Sequence, residues 1–404
     1  MKSLKDFQNA KIICSDYFED LASVTISDED FYDLDKREYT ILPSFCDVHV
    51  HFREPGFSYK ETIKSGSISA SAGGYTAVCT MPNLNPVPDT VDNLLIQQKI
   101  IDGDAIIDVY PYASITTNQL GKQLTDMDAL SKYVLAFSDD GKGVQDQSMM
   151  KDAMIKAKRN DKIIAAHCED NTLLYGGYIH DGKYAKAHGH KGISSASEFV
   201  QVERDLKLCS EVGVKYHVCH ISTKETVDLI RNAKKQGIDV TCETAPHYLT
   251  MDDSFLQEDG KFKMNPPLRD KSDRIALVNG LVDGTIDMIA TDHAPHSLEE
   301  KGKGLKSSAF GVVGLETSFS ALYTNLVKTN IISLEKLVEV MAIKPRERFK
   351  INKTNDFSVW NLNEEYIVDP SKFKSMGRAT PYDGQRLFAV NYFTVKDGKI
   401  IYKR

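Results

Sequence analysis

From about residue 41 to 348, short apolar runs alternate with longer amphipathic stretches, the rhythm of repeated βα units around a parallel sheet. The runs at 41–48, 75–80, 107–113, 133–137, 163–166, 214–219, 239–242 and 286–290 predict eight strands. Eight such units predict an α/β protein, a (β/α)8 barrel of the TIM type. The clearest helix is expected over 223–236: Ser222 and Glu225 form a capping-box pattern, Val227, Ile230 and Ala233 mark an apolar stripe, and Gly237 stands where the helix stops. Further helices are expected at 91–101, 197–209, 273–282 and 334–341.

Outside this region the pattern changes. Residues 1–40 carry short apolar fragments (Ile12-Ile13 and Val24-Thr25-Ile26) among acidic residues, and short strands return after about 348, at 357–360, 388–395 and 399–402. The expected organisation is a barrel domain over 41–348 and a small β-rich flanking domain built from both ends, 1–40 and 349–404.

A length of 404 residues is ample for such a core, and 41% hydrophobic and 26% charged residues are ordinary for a globular chain. A formal charge of −7 and the lack of any basic block argue against a nucleic-acid partner. No apolar run is long enough to suggest a membrane span, and the start, Met1-Lys2-Ser3-Leu4-Lys5-Asp6, has no apolar signal core, so a cytoplasmic protein is expected. The seven cysteines contain no CxxC pair and are read as reduced core residues; Cys168 and Cys219, although beside candidate ligands, are read as small buried fillers.

The chemistry lies at the carboxyl ends of the predicted strands, where a βα barrel carries its working residues. His49 and His51 close the first strand and project from one face of it. Asp139 and Asp140 follow the fourth, His167 ends the fifth, His220 the sixth and Asp292 the eighth. Four imidazoles and two carboxylates at one mouth suit a pair of zinc ions joined by a bridging carboxylate. Of the other histidines, His180, His188 and His190 fall in a polar loop and are expected at the surface. His217 is expected as a satisfied core residue or a support for a ligand, and His293 as a support. His247 is open between support and structure, and His296 is placed to reach a bound ligand.

The segments His49-Val50-His51-Phe52-Arg53-Glu54-Pro55-Gly56, Met81-Pro82-Asn83, Phe137-Ser138-Asp139-Asp140-Gly141, Ala166-His167-Cys168-Glu169, Val218-Cys219-His220-Ile221-Ser222-Thr223, Lys263-Met264-Asn265-Pro266-Pro267-Leu268-Arg269 and Ala290-Thr291-Asp292-His293-Ala294-Pro295-His296 closely resemble class I bacterial dihydroorotases of the amidohydrolase superfamily. The resemblance implies two Zn2+ ions per subunit. His49 and His51 hold one, His167 and His220 the other, Asp140 and a hydroxide bridge them, and Asp292 is both a metal ligand and the general base. It implies reversible hydrolysis of (S)-dihydroorotate to N-carbamoyl-L-aspartate, in pyrimidine biosynthesis. Arg53, Asn83 and His296 would hold the substrate carboxylate, Asn265 and the backbone near Phe310 and Gly311 would contact its ring amides, and His51 would also bind the substrate.

A homodimer, and aspartate transcarbamoylase as a partner, are implied as well. Hydantoinases and allantoinases use a carboxylated lysine at the fourth strand end, where Ala136-Phe137-Ser138 supplies none. The alternatives are another cyclic amidohydrolase of hydantoinase or allantoinase type, and an inactive homologue serving as a structural partner of the transcarbamoylase. Two departures from the family pattern stand out: Pro43-Ser44-Phe45 replaces its Pro-Gly-Phe, and Ala309 stands where a proline commonly precedes Phe-Gly. The glycines and lysines of 297–308 suggest a mobile lid.

Overall fold

The computed structural model describes residues 2–3, 10–18, 25–26 and 38–404. Most of the expected amino-terminal part of the flanking domain, 1–40, including Val24, lies outside the described residues. Among the described residues, the strands β1 (Ala10–Ile12) and β2 (Tyr39–Pro43), and a short pair of Lys2–Ser3 with Thr25–Ile26, precede a series that carries the site. That series is β3 (Phe45–Val50), β4 (Tyr75–Thr80), β5 (Asp108–Pro111), β6 (Ala136–Phe137), β7 (Ile163–Ala166), β8 (Lys215–Val218), β9 (Val240–Thr244) and β10 (Met288–Ile289). Three longer strands follow: β11 (Phe357–Ile367), β12 (Arg386–Lys396) and β13 (Lys399–Lys403).

Strands β3, β4 and β5 pair in parallel, as do β6 through β10, each set in sequence order. Single parallel bridges, Ala113 to Phe137 and Val50 to His293, link the two sets. Between the strands run α1 (Ile63–Ala72), α2 (Val91–Asp104), α3 (Gln147–Arg159), α4 (Ala196–Val212), α5 (Lys224–Lys235) and α6 (Lys271–Val282). The architecture is α/β with parallel sheets.

Three expectations are corrected. The first strand, expected over 41–48, is two strands: β2 pairs with β11, and the chain changes sheets at Ser44 before β3 pairs with β4. Every residue of both strands is buried, so hydropathy carries no mark of the switch. The cap of α5 is Thr223, whose hydroxyl accepts from Thr226 N–H; Ser222 instead donates to Glu198, which also receives the Ser222 and Thr223 backbone N–H groups. The helix expected over 334–341 begins at Leu334–Val338, widens into a π-helical turn at Glu339–Ile343 and continues over Lys344–Phe349.

Strands β13, β12, β11, β2 and β1 form a second sheet in that order, antiparallel except where β1 meets β2. Tyr39, Ile41, Phe357, Val359, Phe393 and Val395 form an apolar cluster on it. Trp360 of β11 ties the sheet to the parallel strands, with its ring centroid 6.0 Å from Phe45 of β3 and 4.4 Å from Phe319.

Helix α1 escaped the sequence pattern because Ser65, Gly66, Ser67, Ser69 and Ser71 offer no apolar stripe and little helical propensity. Close packing on the chain after β3 explains it. Gly66 lies so close to Phe52, two residues past β3, that an added Cβ would come within 2.5 Å of the ring. Gly66→Ala is therefore expected to destabilise the protein by about 1–3 kcal/mol through overpacking, despite alanine's better helix propensity. Thermal unfolding of the two proteins measures this.

Candidate metal centre and substrate pocket

His49 is the last-but-one residue of β3 and fully buried; His51 follows the strand and is 5% exposed. Asp47, two residues before His49, spans β3 and the chain after β10: its carboxylate accepts from His49 N–H at 3.0 Å and Thr291 N–H at 3.0 Å. Burial pushes this carboxyl up to about 7, although Thr291 and the His49 N–H oppose the shift. His220 and Asp292, just past β8 and near β10, both have left-handed backbones, φ 34° and 48°. Non-glycine residues so placed carry local strain, and here both turn a polar side chain into the same mouth.

The two aspartates after β6 have different fates. Asp139 faces away, accepting from Ile115 N–H at 2.8 Å and from the Thr116 N–H and hydroxyl. Asp140 faces the histidines: Oδ1 lies 3.4 Å from His49 Nε2, 3.4 Å from His220 Nε2 and 3.7 Å from His167 Nδ1, and Oδ2 lies 3.5 Å from His51 Nε2. Burial alone would raise the Asp140 pKa, but the surrounding imidazoles hold it well below the usual carboxylate range.

These residues form two ligand groups that share Asp140: His49, His51 and Asp140, and Asp140, His167 and His220. Several separations are too long for hydrogen bonds, and His49 Nε2 and Asp140 Oδ1 are buried without a hydrogen-bond partner. Two nitrogen or oxygen ligands of one tetrahedral zinc, each about 2.1 Å from it, stand roughly 3.4 Å apart. Orphaned buried lone pairs at that spacing fit a metal pair. Asp292 completes the group, with Oδ1 3.0 Å from His51 Nε2 and 3.6 Å from His49 Nε2.

The residues that aim these ligands include one that the sequence reading missed. Glu243 of β9 accepts from His49 Nδ1 at 2.7 Å and lies 3.0 Å from His217 Nε2, while His217 Nδ1 meets Thr241 Oγ1 at 2.8 Å. His217 thus supports His49 through Glu243. The signal was present, since a glutamate inside the buried strand Val240–Thr244 has no apolar reason to be there. His51 Nδ1 is held by Asn83 Oδ1 at 3.0 Å. His247 is buried with Nε2 unpartnered, and desolvation lowers its pKa to about 4.

Two histidine expectations change. His293 accepts from Gly314 N–H at Nδ1 and sets Nε2 3.5 Å from Glu61, which ties loops together behind the site. His180, expected at the surface with His188 and His190, is buried against Arg269.

Beside the ligands opens a cavity of about 250 Å3 lined by every substrate-facing residue expected from the sequence. Arg53 Nε donates to Pro295 O at 3.1 Å, and its Nη2 lies 3.3 Å from His296 Nε2. Asn265 donates to Glu169 Oε1 at 3.0 Å, while its own Oδ1 is buried and unpartnered. Gly311 N–H is already engaged, donating to Lys263 O at 3.1 Å. The loop over 297–308 contains two short helical turns, Leu298–Lys301 and Gly304–Ser307. It is anchored where Lys301 Nζ donates to Lys263 O and Ala309 O at 2.9 and 2.8 Å.

Residues 39–226 match the family model described as Dihydro-orotase-like. The dihydroorotase of Fusobacterium nucleatum subsp. nucleatum is 47% identical over 388 residues, which cover 94% of this chain and 91% of that protein. The dihydroorotase of Listeria welshimeri serovar 6b is 47% identical over 405 residues, 98% and 93% of the two chains. Among solved structures, L-hydantoinase (dihydropyrimidinase) from Arthrobacter aurescens superposes with a TM-score of 0.81 at 26% identity, covering 91% of this chain and 86% of that one. A D-hydantoinase shares the fold with a TM-score of 0.79 at 20% identity. Fold and site together define an amidohydrolase-type α/β protein. Within that class, the chain belongs to the dihydroorotase family.

Glu243→Gln keeps the volume and removes the charge behind His49. It is expected to weaken metal binding by about 10–100-fold with the fold intact. A chelator-competition titration, with circular dichroism on the same samples, checks it.

Proposed function

We propose that this chain is a zinc-dependent dihydroorotase that interconverts (S)-dihydroorotate and N-carbamoyl-L-aspartate. The observation that carries the reading is the pair of ligand groups sharing Asp140, with Asp292 on one side and Arg53 and His296 lining the same cavity. His49 and His51 would hold one zinc and His167 and His220 the other, with Asp140 between them. Zinc bound there would supply Lewis acidity for the ring amide and acidify the attacking water.

The chain's own groups supply the rest. Asp292 is buried, which by itself raises its pKa, but His51, His49 and His220 hold it below the usual carboxylate range, so it stands ready as a base. It takes one proton from the attacking water and delivers it to the departing amide nitrogen. The hydroxyl stays on the carbonyl carbon as the C–N bond breaks, and ring closure runs the same steps in reverse. Arg53, whose burial lowers its pKa to about 10, remains cationic at neutral pH and is placed to clamp the substrate carboxylate. His51, Asn83 and His296 share that side of the cavity, and Asn265, with its free Oδ1, faces the ring amides together with Phe310 and Gly311. The positive charge of Arg53 and the metals would draw an anionic substrate into a chain of net charge −7.

The same reading treats the eight parallel strands as one closed barrel, supported by the bridges at Ala113–Phe137 and Val50–His293. It assigns 41–348 to the barrel domain, and 1–40 with 349–404 to a flanking domain, supported by the second sheet. It also carries the homodimer implied by the resemblance, which sedimentation of the purified chain tests.

Asp292→Asn is expected to lower kcat by at least about 1000-fold while zinc content is retained, since the base is lost but most ligands remain. Arg53→Met is expected to raise KM for dihydroorotate at least about tenfold, with a smaller change in kcat. Steady-state assays on dihydroorotate, hydantoin and allantoin, with metal analysis of each sample, check both variants. Turnover confined to hydantoin or allantoin would contradict the substrate assignment.

A further inference from the structure

We propose that Lys60 is a positioning residue: its ammonium donates to Nδ1 of His296 and, with Phe310 O accepting at the other nitrogen, keeps that ring in the Nε2–H form, so that no imidazole lone pair competes with the substrate carboxylate for the Arg53 guanidinium. The inference rests on the carboxylate-clamp reading above.

The tautomer follows from what the neighbours can do. His296 Nε2 lies 2.8 Å from Phe310 O, a group that only accepts, so Nε2 carries the proton. His296 Nδ1 lies 3.3 Å from Lys60 Nζ, a group that only donates, so Nδ1 presents its lone pair. Arg53 Nη2, 3.3 Å from Nε2, then meets no lone pair on the ring and keeps its N–H for an anion. A doubly protonated ring would turn a donor toward Lys60. Burial, with Arg53, Lys60 and Lys301 nearby, prevents this by pushing the ring pKa down to about 3, against the opposing pull of Glu300.

Lys60 is itself held. It lies in the turn between β3 and α1 and reaches across to Glu300 Oε1 at 2.8 Å, which Tyr59 OH also approaches at 3.3 Å. Glu300 is fixed by the short helix it helps start: Ser297 accepts from Glu300 N–H, and Glu300 Oε2 accepts from Ser297 N–H at 3.0 Å. Glu300 Oε2 also lies 3.5 Å from His296 Nδ1. Without Lys60, that carboxylate becomes the natural acceptor for an Nδ1–H. The ring would then change tautomer, giving up the Phe310 hydrogen bond, and turn an Nε2 lone pair toward the Arg53 guanidinium, which would spend an N–H on the ring. Lys60 therefore decides between two forms of the ring, and only one of them suits an anion.

The test compares Lys60→Met, Lys60→Arg and Arg53→Met in the zinc-loaded enzyme, by KM and kcat for dihydroorotate and by the 15N chemical shifts of the His296 ring. Lys60→Met is expected to raise KM about tenfold with kcat changed by no more than about threefold, and to move the His296 signals from the Nε2–H toward the Nδ1–H pattern. Lys60→Arg, which keeps a donor and a charge, is expected to recover most of both. An unchanged tautomer in Lys60→Met, or a KM equal to wild type, overturns the inference. If Arg53→Met also leaves KM unchanged, the carboxylate clamp itself has failed; if Arg53→Met raises KM and Lys60→Met does not, only the role of Lys60 has failed.

Discussion

Four buried imidazoles and two buried carboxylates meet at the ends of five strands, and several of their polar atoms have no partner within the protein. Leaving a polar group dry and unpaired costs a few kcal/mol, and several in one place are tolerable only if something else satisfies them together. That shared demand for cations shapes the rest of the mouth. Asp140 stands between two histidine pairs, Glu243 and Asn83 fix the far sides of His49 and His51, and Asp47 holds β3 to the chain after β10. The strained backbones of His220 and Asp292 persist because this packing leaves them no alternative.

The proposed recognition groups follow directly on the same strand. Two residues beyond His51, Arg53 reaches the loop that carries His296, and Lys60 reaches Glu300 in that loop. His51, Arg53 and Lys60 thus lie within ten residues of one another, between the end of β3 and the start of α1. The stretch over 295–300 is joined to this segment by hydrogen bonds from Arg53 to Pro295 O and from Lys60 to His296 and by the Lys60–Glu300 ion pair, so its position and that of the cavity wall are set together.

Much of this was legible in the sequence. The βα rhythm located the strands β3 to β10, and the rule that barrels keep their chemistry at strand carboxyl ends picked out His49, His51, His167, His220 and Asp292. Between Asp139 and Asp140 the residues gave no choice; the resemblance favoured Asp140, and the geometry explains why, because Asp139 is spent on the turn at Ile115 and Thr116. What stayed hidden depends on tertiary contact. The sheet change at Ser44 sits inside an unbroken buried run, and α1 is held by close approach to Phe52 rather than by any stripe. Lys60 and Glu300 look like ordinary surface charges until the fold brings them 2.8 Å apart over His296.

The central claim is a metal pair joined through Asp140. Anomalous diffraction at the zinc edge, from crystals of the zinc-loaded protein, tests it most directly. The account predicts two peaks flanking the Asp140 carboxylate, one beside His49 and His51 and one beside His167 and His220. A single peak away from Asp140, or none among these side chains, would contradict it.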